Sequence, residues 1–416
     1  MRAVGHALAA LTALVALPAG AAALLVRPRL WRGLPERLGA WPRLPPGSVW
    51  IHAAAVGEIR AASRLVELLR KRDRFVCTST WTLPGRVAMR GWSPEVPCHL
   101  APIDHPWCVD AALARVAPAA LVLVETELWP SWIAAASRRG IPVVLVSGRL
   151  SDRSFPRYRR LAPLLRPTLR RLHAVGARTE VDAERFRALG ARNVVVTGDL
   201  KLDVDTRSLP LAPDLDRLLA DVPLLVAGST HAGEEEAALE ALAAATAAGH
   251  RVALAIAPRH PPRAAEVERL ARRGGRSVRR RTRPGPGALA PGEVLVLDTV
   301  GELTSVYARA AVAFVGGSLV PIGGHNVLEP AMAGRPVVFG PHVANVRHAV
   351  EILESCGAGR RIETAAQLPG AVLELLSDPE AAQRQGEAGR RALAKHRGSA
   401  ERALALIEAA LEPAAG

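Results

Sequence analysis

The sequence predicts an α/β protein with two doubly wound, Rossmann-like domains. Along most of its 416 residues, short apolar runs alternate with stretches of helical period, which is typical of parallel strands joined by crossover helices. The runs form two series, separated by a polar, proline-containing segment at residues 201–222. A chain of this length, 49% hydrophobic, also exceeds what one core usually holds. We therefore expect domains at residues 31–205 and 206–416, facing a cleft beside that segment.

Strands are expected where apolar runs are bounded by polar or glycine-containing segments. In the first series these runs are SVWIHAAA, RFVCTST, LVLVE, IPVVLVS and NVVVTG; in the second they are PLLVAGS, RVALAIAP, EVLVLDT, VAFVGGS and PVVFGP. The arginine-rich stretch at residues 272–287 contains glycines and prolines and predicts an exposed loop. Beyond Ala365 the pattern predicts two or three amphipathic helices.

Residues 1–30 predict an N-terminal membrane-anchor helix. Residues 3–26 are almost wholly apolar and, at about 1.5 Å per residue, are just long enough to cross a bilayer core. Arginines lie mostly after this segment, a bias that keeps the following domain in the cytoplasm: Arg2 precedes it, and Arg27, Arg29, Arg32 and Arg37 follow. The alternatives are a secretory signal peptide cleaved at PAGAAA and a helix lying on the cytoplasmic leaflet.

Composition narrows the class of partner. The net charge of +15 favours anionic partners such as phosphorylated substrates or anionic lipids. Nucleic acid is disfavoured, because only 4% of the residues are aromatic and no nucleic-acid-binding module is recognisable. The four cysteines are scattered without a CxxC pair, which indicates a reducing compartment and neither a zinc site nor a disulfide framework.

Charged side chains follow three apolar runs of the first series, where parallel sheets bind their ligands. In WIHAAAVGEIRAA, Gly57 permits an unusual backbone angle, and Glu58 is either a general base or a helix-start carboxylate that suits the helix dipole. In LVLVETELWPSW, Glu125 and Glu127 form a pair that is expected to raise at least one pKa. In VTGDLKLDVD, Lys201 is either a phosphate partner or an exposed lysine.

Three loops of the second series predict an anion site. GSTHAGEEE places small residues before a helix whose free amides would hold phosphate. APRHPPR places Arg259, a bidentate phosphate reader, after the next strand. FVGGSLVPIGGHNVLEPA combines four glycines with Asn326, a helix cap, and Glu329. His325 and Glu329 alone make a poor metal site, and the DxD that begins at Asp203 fits turn chemistry better than metal binding.

With these motifs the chain resembles a known family, the 3-deoxy-D-manno-octulosonic acid (Kdo) transferases. These are inverting glycosyltransferases of the GT-B fold that use CMP-Kdo. The matching stretches are RGLPERLG, HAAAVGE, VETELWP, GRLSDRS, ERFRALGA, VTGDLK, GSTHAGEE, PRHPPR, DTVGEL, FVGGSLVPIGGHNVLEP and FGPHVAN. They occur in the family's order from about Arg32 to Asn345.

The resemblance implies a role for each matched residue. Glu58 takes the position of the base that deprotonates the acceptor hydroxyl, and Glu125 and Lys201 take the positions of groups that stabilise the transition state. The residues implied for CMP binding are Pro258, Arg259, Val300, Gly301, Glu302, Asn326, Val327, Leu328 and Glu329. Ser229, Thr230 and Ser318 are implied only as neighbours. No metal or other cofactor is expected, because basic side chains and helix amides can stabilise CMP as it leaves.

The implied function is transfer of Kdo to a lipid A precursor (lipid IVA) during lipopolysaccharide synthesis. The resemblance also implies a place on the cytoplasmic face of the bacterial inner membrane. The sequence leaves two alternative functions open. One is another nucleotide-sugar enzyme of the same fold, a UDP-sugar transferase or an epimerase. The other is a non-catalytic lipid-binding protein. The presence of four charged site residues argues against it: Glu58, Glu125, Lys201 and Arg259.

Overall fold

The computed structural model describes residues 33–152, 154–204 and 211–412. The chain divides after Val204 and again after Arg397. We call the described residues before and after these two points unit 1 and those between them unit 2. The predicted boundary at residues 205 and 206 thus lies one residue from the observed one.

Unit 1 is built on a parallel sheet with the strand order β3-β2-β1-β4-β5-β6-β7. The strands are β1 (Val49–His52), β2 (Val76–Thr80), β3 (Cys98–Leu100), β4 (Ala120–Val124), β5 (Val143–Gly148), β6 (Ala174–Ala177) and β7 (Val194–Val196). Every residue of β1, β2, β4 and β5 is buried, as expected for strands covered on both faces by helices.

The helices between these strands begin at local sequence signals. They are α1 (Leu34–Arg37), α2 (Val56–Ala61), α3 (Ser63–Arg70), α4 (Leu83–Trp92), α5 (Pro106–Val116), α6 (Pro130–Arg138), α7 (Phe155–Arg160), α8 (Ala162–Leu169) and α9 (Glu180–Leu189), and a 3₁₀ helix follows β7 at Leu200–Asp203. The hydroxyls of Thr82 and Thr179 accept hydrogen bonds from the first turns of α4 and α9, each at 3.1 Å. Proline stands in the first turn of several others.

Unit 2 is built on a second parallel sheet, with the order β10-β11-β9-β8-β12-β13-β14. Its strands are β8 (Leu224–Thr230), β9 (Ala253–Pro258), β10 (Val278–Arg280), β11 (Val294–Val296), β12 (Ala310–Val315), β13 (Val337–Phe339) and β14 (Gly359–Arg361). Its helices are α10 (Pro213–Leu218), α11 (Glu234–Ala247), α12 (Ala264–Arg273), α13 (Leu303–Tyr307), α14 (Leu328–Met332), α15 (Arg347–Ser355), α16 (Leu368–Ser377) and α17 (Pro379–Ala394), with 3₁₀ turns at Pro261–Arg263 and Ala365–Gln367.

The arginine-rich stretch at residues 272–287 corrects one expectation. The sequence predicts a loop there, but Val278–Arg280 forms the edge strand β10, paired with β11 on one side only. Arg279 also donates to the carbonyls of Pro286 and Gly287 at 2.8 and 3.0 Å and so braces the turn that follows. An edge strand needs no continuous apolar run, and its charges protect it from pairing with other chains.

The C-terminal helix corrects a second expectation. Helix α18 (Ser399–Leu411) belongs to unit 1, whereas the sequence assigned residues 206–416 to one second domain. Its apolar side chains, Leu404 and Ile407 among them, join the core cluster of unit 1 that contains strands β1 and β4. Asp203 fixes the start of α18, because its carboxylate accepts from the amides of Gly398 and Ala400 at 2.8 and 2.6 Å.

The predicted membrane anchor at residues 1–30 lies outside the described residues. Between residues 33 and 412, no described helix combines the length and apolar character that crossing a bilayer requires.

Candidate active site

The carboxyl end of the unit 1 sheet brings the first set of predicted residues together. Strand order reverses where β1 lies beside β4, which is where sheets of this type bind ligands. Glu58 follows β1 in the first turn of α2, and Glu125 follows β4 directly. The two sequence segments, 67 positions apart, therefore meet at one point because their strands are neighbours.

Glu58 holds the start of α2 and also has a raised pKa. Its Oε2 accepts from the amides of Ala54 and Ala55 at 2.6 and 3.3 Å, so it does stabilise the start of α2. Burial, followed by the carboxylates of Glu125 and Glu127, raises its pKa to about 7. A carboxylate with a pKa near the working pH has the protonation behaviour of a general base.

Gly57 has a different role from the expected one. It lies inside α2 without a positive φ, so no unusual backbone angle requires glycine. A Cβ at this position would have no neighbour within 4 Å. Gly57 instead leaves the exposed surface beside Glu58 open.

Glu125 and Lys201 form a close ion pair. The Lys201 Nζ lies 2.5 Å from the Glu125 Oε1, and the side chains are 27% and 22% exposed. Burial lowers the pKa of Lys201, but Glu125 and Asp199 outweigh it, so the net shift is upward and the ammonium is retained. Glu125 has a φ of 63°, a strained conformation for a residue with a side chain. Such strain is commonly found at functional sites.

Glu127 is the second carboxylate of the pair, and a tryptophan holds it by a hydrogen bond. The Trp129 Nε1 donates to its Oε2 at 2.6 Å, and the His52 Nε2 lies 3.8 Å from the same oxygen. Burial and the charge of Glu125 raise the pKa of Glu127, which confirms the expectation for the pair.

His52 was missed by the sequence analysis. It is fully buried at the end of β1, and burial lowers its pKa to about 3, so the ring is neutral. The Ser79 hydroxyl accepts from the Trp50 Nε1 at 2.8 Å and lies 2.9 Å from the His52 Nδ1. If Ser79 donates to Nδ1, the His52 proton is on Nε2, which faces Glu127. The only signal in the sequence was a histidine inside an otherwise apolar strand.

The raised pKa of Glu58 predicts a pH dependence of turnover. A base must be unprotonated, so the turnover number should rise about tenfold per pH unit below pH 7 and level off above it. Lys201 stays charged throughout this range, because its own pKa is raised. The measurement is the turnover number at saturating substrates from pH 5.5 to 9, and a flat or falling profile would contradict the assignment.

In unit 2, strand order reverses between β8 and β12, and the predicted loops follow β8, β9 and β12. Pro258 ends β9, and the next residue, Arg259, is exposed. Its backbone amide donates to the Thr230 carbonyl at 2.9 Å. Within the described residues its guanidinium has no ion pair, which leaves it available to a ligand.

The glycine-rich loop after β12, one of the three loops predicted to form an anion site, holds a carboxylate of the protein itself. The buried carboxylate of Glu234, at the start of α11, accepts from the amides of Gly317, Ser318 and Leu319 at 2.8 to 3.0 Å. It also accepts from the amide of His231 at 2.9 Å. The loop therefore binds an anion that belongs to the protein.

Three histidines lie at the same edge of the unit 2 sheet. The Nε2 atoms of His231 and His325 are 2.8 Å apart, and their rings stack at 5.1 Å. Burial and the nearby Arg259 lower the pKa of His325 to about 4, and burial also lowers that of His231. One neutral ring thus donates to the other. His260 lies edge-on to His231 at 6.0 Å.

The remaining predicted nucleotide residues differ in exposure. Val300 is 59% exposed. Gly301 has a φ of +100°, a backbone conformation that favours glycine. Arg281 donates to Glu302 at 2.9 Å, so this carboxylate is already partnered. We find that Val327 and Leu328 pack in the interior, at 1% and 5% exposure.

Asn326 and Glu329 form the helix start that the sequence predicted. The Asn326 Oδ1 accepts from the Leu328 amide at 3.2 Å, and its Nδ2 donates to Glu329 at 3.1 Å. The Thr304 hydroxyl donates to the other Glu329 oxygen at 2.8 Å.

Three residues were predicted only as neighbours of the CMP site: Ser229, Thr230 and Ser318. Two of them make local hydrogen bonds, and the third has a strained backbone. Thr230 and Ser318 are buried, and their hydroxyls bond to Glu235 and to the Gly340 amide. Ser229 has a φ of 56° at the end of β8. Among the described residues, no group of three or more His, Cys, Asp or Glu side chains is arranged to hold a metal. Asp205, the second acid of the DxD, lies outside them.

A family model and a relative of known name both match this chain. A family model described as 3-deoxy-D-manno-octulosonic-acid transferase (kdotransferase) matches residues 32–204. The chain is 36% identical to the 3-deoxy-D-manno-octulosonic acid transferase of Bordetella pertussis over 398 residues, 90% of this chain and 91% of that one.

Two solved structures are also similar. The C-terminal CMP-Kdo binding domain of WaaA from Acinetobacter baumannii is 33% identical, covers 43% of this chain and 93% of that domain, and gives a TM-score of 0.40. The UDP-GlcNAc 2-epimerase from Neisseria meningitidis bound to UDP-GlcNAc covers 88% of this chain and 99% of its own, with a TM-score of 0.60 and 14% identity. At that identity the likeness shows the fold alone.

Proposed function

We propose a complete reaction for this chain, which belongs to the 3-deoxy-D-manno-octulosonic acid (Kdo) transferase family: transfer of Kdo from CMP-Kdo to a lipid A precursor, lipid IVA. The chain is a glycosyltransferase of lipopolysaccharide synthesis, and its two parallel seven-stranded sheets are GT-B-like. The single observation that carries the chemistry is Glu58, a half-buried carboxylate with a pKa of about 7 at the point where the unit 1 sheet reverses its strand order.

The proposed step transfers one proton and exchanges one bond at the anomeric carbon of Kdo. Glu58 accepts the proton of the acceptor hydroxyl while that oxygen forms a bond to the anomeric carbon of Kdo. The bond between that carbon and the CMP phosphate oxygen breaks, and CMP leaves with the electron pair. The Lys201 ammonium, held 2.5 Å from Glu125, places a positive charge where negative charge develops.

The nucleotide is assigned to unit 2. Arg259 is exposed at the end of β9 without an ion pair among the described residues, and a guanidinium suits a phosphate monoester. Val300 and Gly301 present exposed surface, whereas Val327 and Leu328 contribute by fixing the loop from inside. No metal ion is required in this proposal, because CMP carries a single phosphoryl group that basic side chains can stabilise.

The membrane setting is part of the proposal. A lipid acceptor requires access to a bilayer, and residues 1–30 have the apolar length and the flanking arginines of an anchor with its following domains in the cytoplasm. We therefore place the protein on the cytoplasmic face of the inner membrane.

The decisive test is direct. Purified protein is incubated with CMP-Kdo and tetra-acylated lipid A precursor, and the lipid is analysed by mass spectrometry for the added mass of Kdo. A parallel reaction with a UDP-sugar addresses the rival of the same fold. Transfer from the UDP-sugar, or no mass gain from CMP-Kdo, would overturn the proposal.

A prediction for the donor half concerns Arg259. Arg259→Ala should weaken CMP binding about 10- to 150-fold, the equivalent of losing a charged hydrogen bond of about 1.5 to 3 kcal/mol. Isothermal titration with CMP measures this. Arg269→Ala, which removes another exposed arginine of unit 2, is the control and should leave the affinity unchanged. Equal affinities in both variants would remove Arg259 from the site.

A further inference from the structure

Helices α7 and α8 of unit 1 present a surface that the proposed catalysis does not use. Leu164 and Leu161 are 76% and 45% exposed there. Exposed arginines of the same two helices flank the leucines along the chain: Arg157, Arg159, Arg160 and Arg166. We call these six residues the α7–α8 surface.

The charge of this surface is of one sign. Residues 155–171 contain six arginines, and no aspartate or glutamate occurs from residue 153 to residue 179. The nearest acidic groups along the chain are already engaged: Asp152 pairs with Arg185, and Glu180 pairs with Arg187 at 2.7 Å. None of the four arginines of the surface has an ion pair among the described residues.

The inner side of the same helices explains why the leucines are not core residues. Ala162, Thr168 and Leu169 are buried, and Phe155 and Leu165 pack against the core cluster that contains Trp132. The helices are thus fixed by one face while Leu164 points away from it. Exposing two leucines among arginines is unfavourable in water, because each loses the free energy of burial.

We propose that the α7–α8 surface docks on an anionic lipid bilayer, with Leu161 and Leu164 entering the interface and the arginines contacting lipid phosphates. A bilayer interface accepts both components, since apolar side chains bury among acyl chains while the long arginine stems let the guanidiniums remain at the headgroups. Nucleic acid would meet the charges but not the leucines. This contact is separate from residues 1–30, and it complements the proposed function by holding the catalytic unit itself near a lipid acceptor.

The test uses the full chain and does not depend on catalysis. Partition is measured by co-sedimentation with vesicles of pure phosphatidylcholine and with vesicles containing 30% phosphatidylglycerol. Each basic residue near an anionic surface contributes roughly fivefold in binding. Arg157→Glu with Arg160→Glu should therefore lower partition onto the anionic vesicles at least tenfold. Partition onto neutral vesicles should stay nearly unchanged, because pure phosphatidylcholine has no net negative charge for the arginines to contact.

The control has the same change in net charge. Arg269→Glu with Arg273→Glu reverses two exposed arginines of unit 2 and should change partition less than about twofold. Equal losses in the two double variants, or no loss in either, would overturn the proposal.

A separate substitution tests the apolar side chains of the α7–α8 surface. Leu164→Ser should lower partition onto both kinds of vesicle, by roughly tenfold if the side chain is largely buried. Val181→Ser, which alters an exposed apolar residue of α9 beside the acidic Glu180, should not. Binding to single-stranded RNA that is lost in the arginine variant, while Leu164→Ser leaves vesicle partition unchanged, would show a nucleic-acid surface instead. Absence of Kdo transfer alongside these results would refute the proposed function and leave the docking surface standing.

Discussion

Glu58→Gln is expected to lower turnover by about a hundredfold to ten-thousandfold, the range that general-base catalysis supplies. Only one oxygen of Glu58 is used in the fold, accepting from the amides of Ala54 and Ala55. The amide oxygen of glutamine can accept the same two bonds, so the substitution removes basicity and keeps the helix start. CMP affinity should stay nearly constant, because the nucleotide residues belong to unit 2. Turnover, CMP affinity and melting temperature are measured on the same preparations.

The same variant has an expected effect on stability that depends on pH. The pKa of Glu58 in the folded protein, about 7, lies above its ordinary value of 4.5. The folded chain therefore keeps a proton that the unfolded chain releases, and stability falls as pH rises from about 4.5 to 7. At 1.36 kcal/mol per unit, Glu58→Gln should be more stable than wild type by up to about 3 kcal/mol at pH 8, and the difference should vanish near pH 4.5.

Two outcomes would refute the base assignment. Near-normal turnover in a folded Glu58→Gln protein would leave only the helix-start role. A uniform loss of stability at every pH would show that the carboxylate is structural and is not destabilised by its burial. Glu67→Gln, which alters an exposed glutamate of α3, is the matched control and should change neither turnover nor stability by more than about 0.5 kcal/mol.

Glu234→Gln is expected to destabilise unit 2 by about 3 to 5 kcal/mol, although it changes hardly any volume. Both carboxylate oxygens accept from two amides each: Oε2 from His231 and Gly317, and Oε1 from Ser318 and Leu319. The NH₂ of glutamine would face two of these donors, so two buried amides would lose their acceptor. The free energy of unfolding is measured by urea denaturation.

Glu236→Gln provides the control for this experiment. Glu236 is two positions further along α11, exposed, and accepts from the Gly233 amide alone at 3.1 Å. Its substitution should change stability by less than about 1 kcal/mol. A Glu234→Gln protein as stable as the Glu236→Gln protein would mean that the loop amides find other acceptors.

The contrast between these two glutamates shows what the sequence could not predict. Both stand at the start of a helix after a buried strand, and their local patterns are alike. Besides the nearby His231 amide, Glu234 accepts from three backbone amides more than eighty positions away. Glu58 accepts only from amides three and four positions before it. The glycines after β12 indicated an anion site for a nucleotide, whereas the anion found at these amides is a side chain whose position depends on β8 and β12 being neighbours.

The strands also differ in how well the sequence predicts them. Central strands such as β1, β4 and β8 are buried on both faces, so they appear in the sequence as continuous apolar runs and were predicted. Three of the four edge strands, β3, β10 and β14, have three residues each and were not predicted, because a strand paired on one side tolerates short or arginine-containing sequences. The fourth, β7, has the apolar sequence VVV and was predicted. The Glu125–Lys201 pair also could not be read from spacing, because it depends on the fold of β4 to β7.

The return of α18 to unit 1 determines when that unit can finish folding on the ribosome. Unit 2 is continuous in the chain and has all its strands once Arg397 has emerged, whereas the unit 1 core still lacks Leu404 and Ile407. At 5 to 20 residues per second, translation from Val204 to residue 398 takes about 10 to 40 s. During that interval the nascent first half lacks the apolar side chains that α18 adds to its core cluster. A nascent chain that stalls before residue 398 therefore leaves the core of its earlier half incomplete.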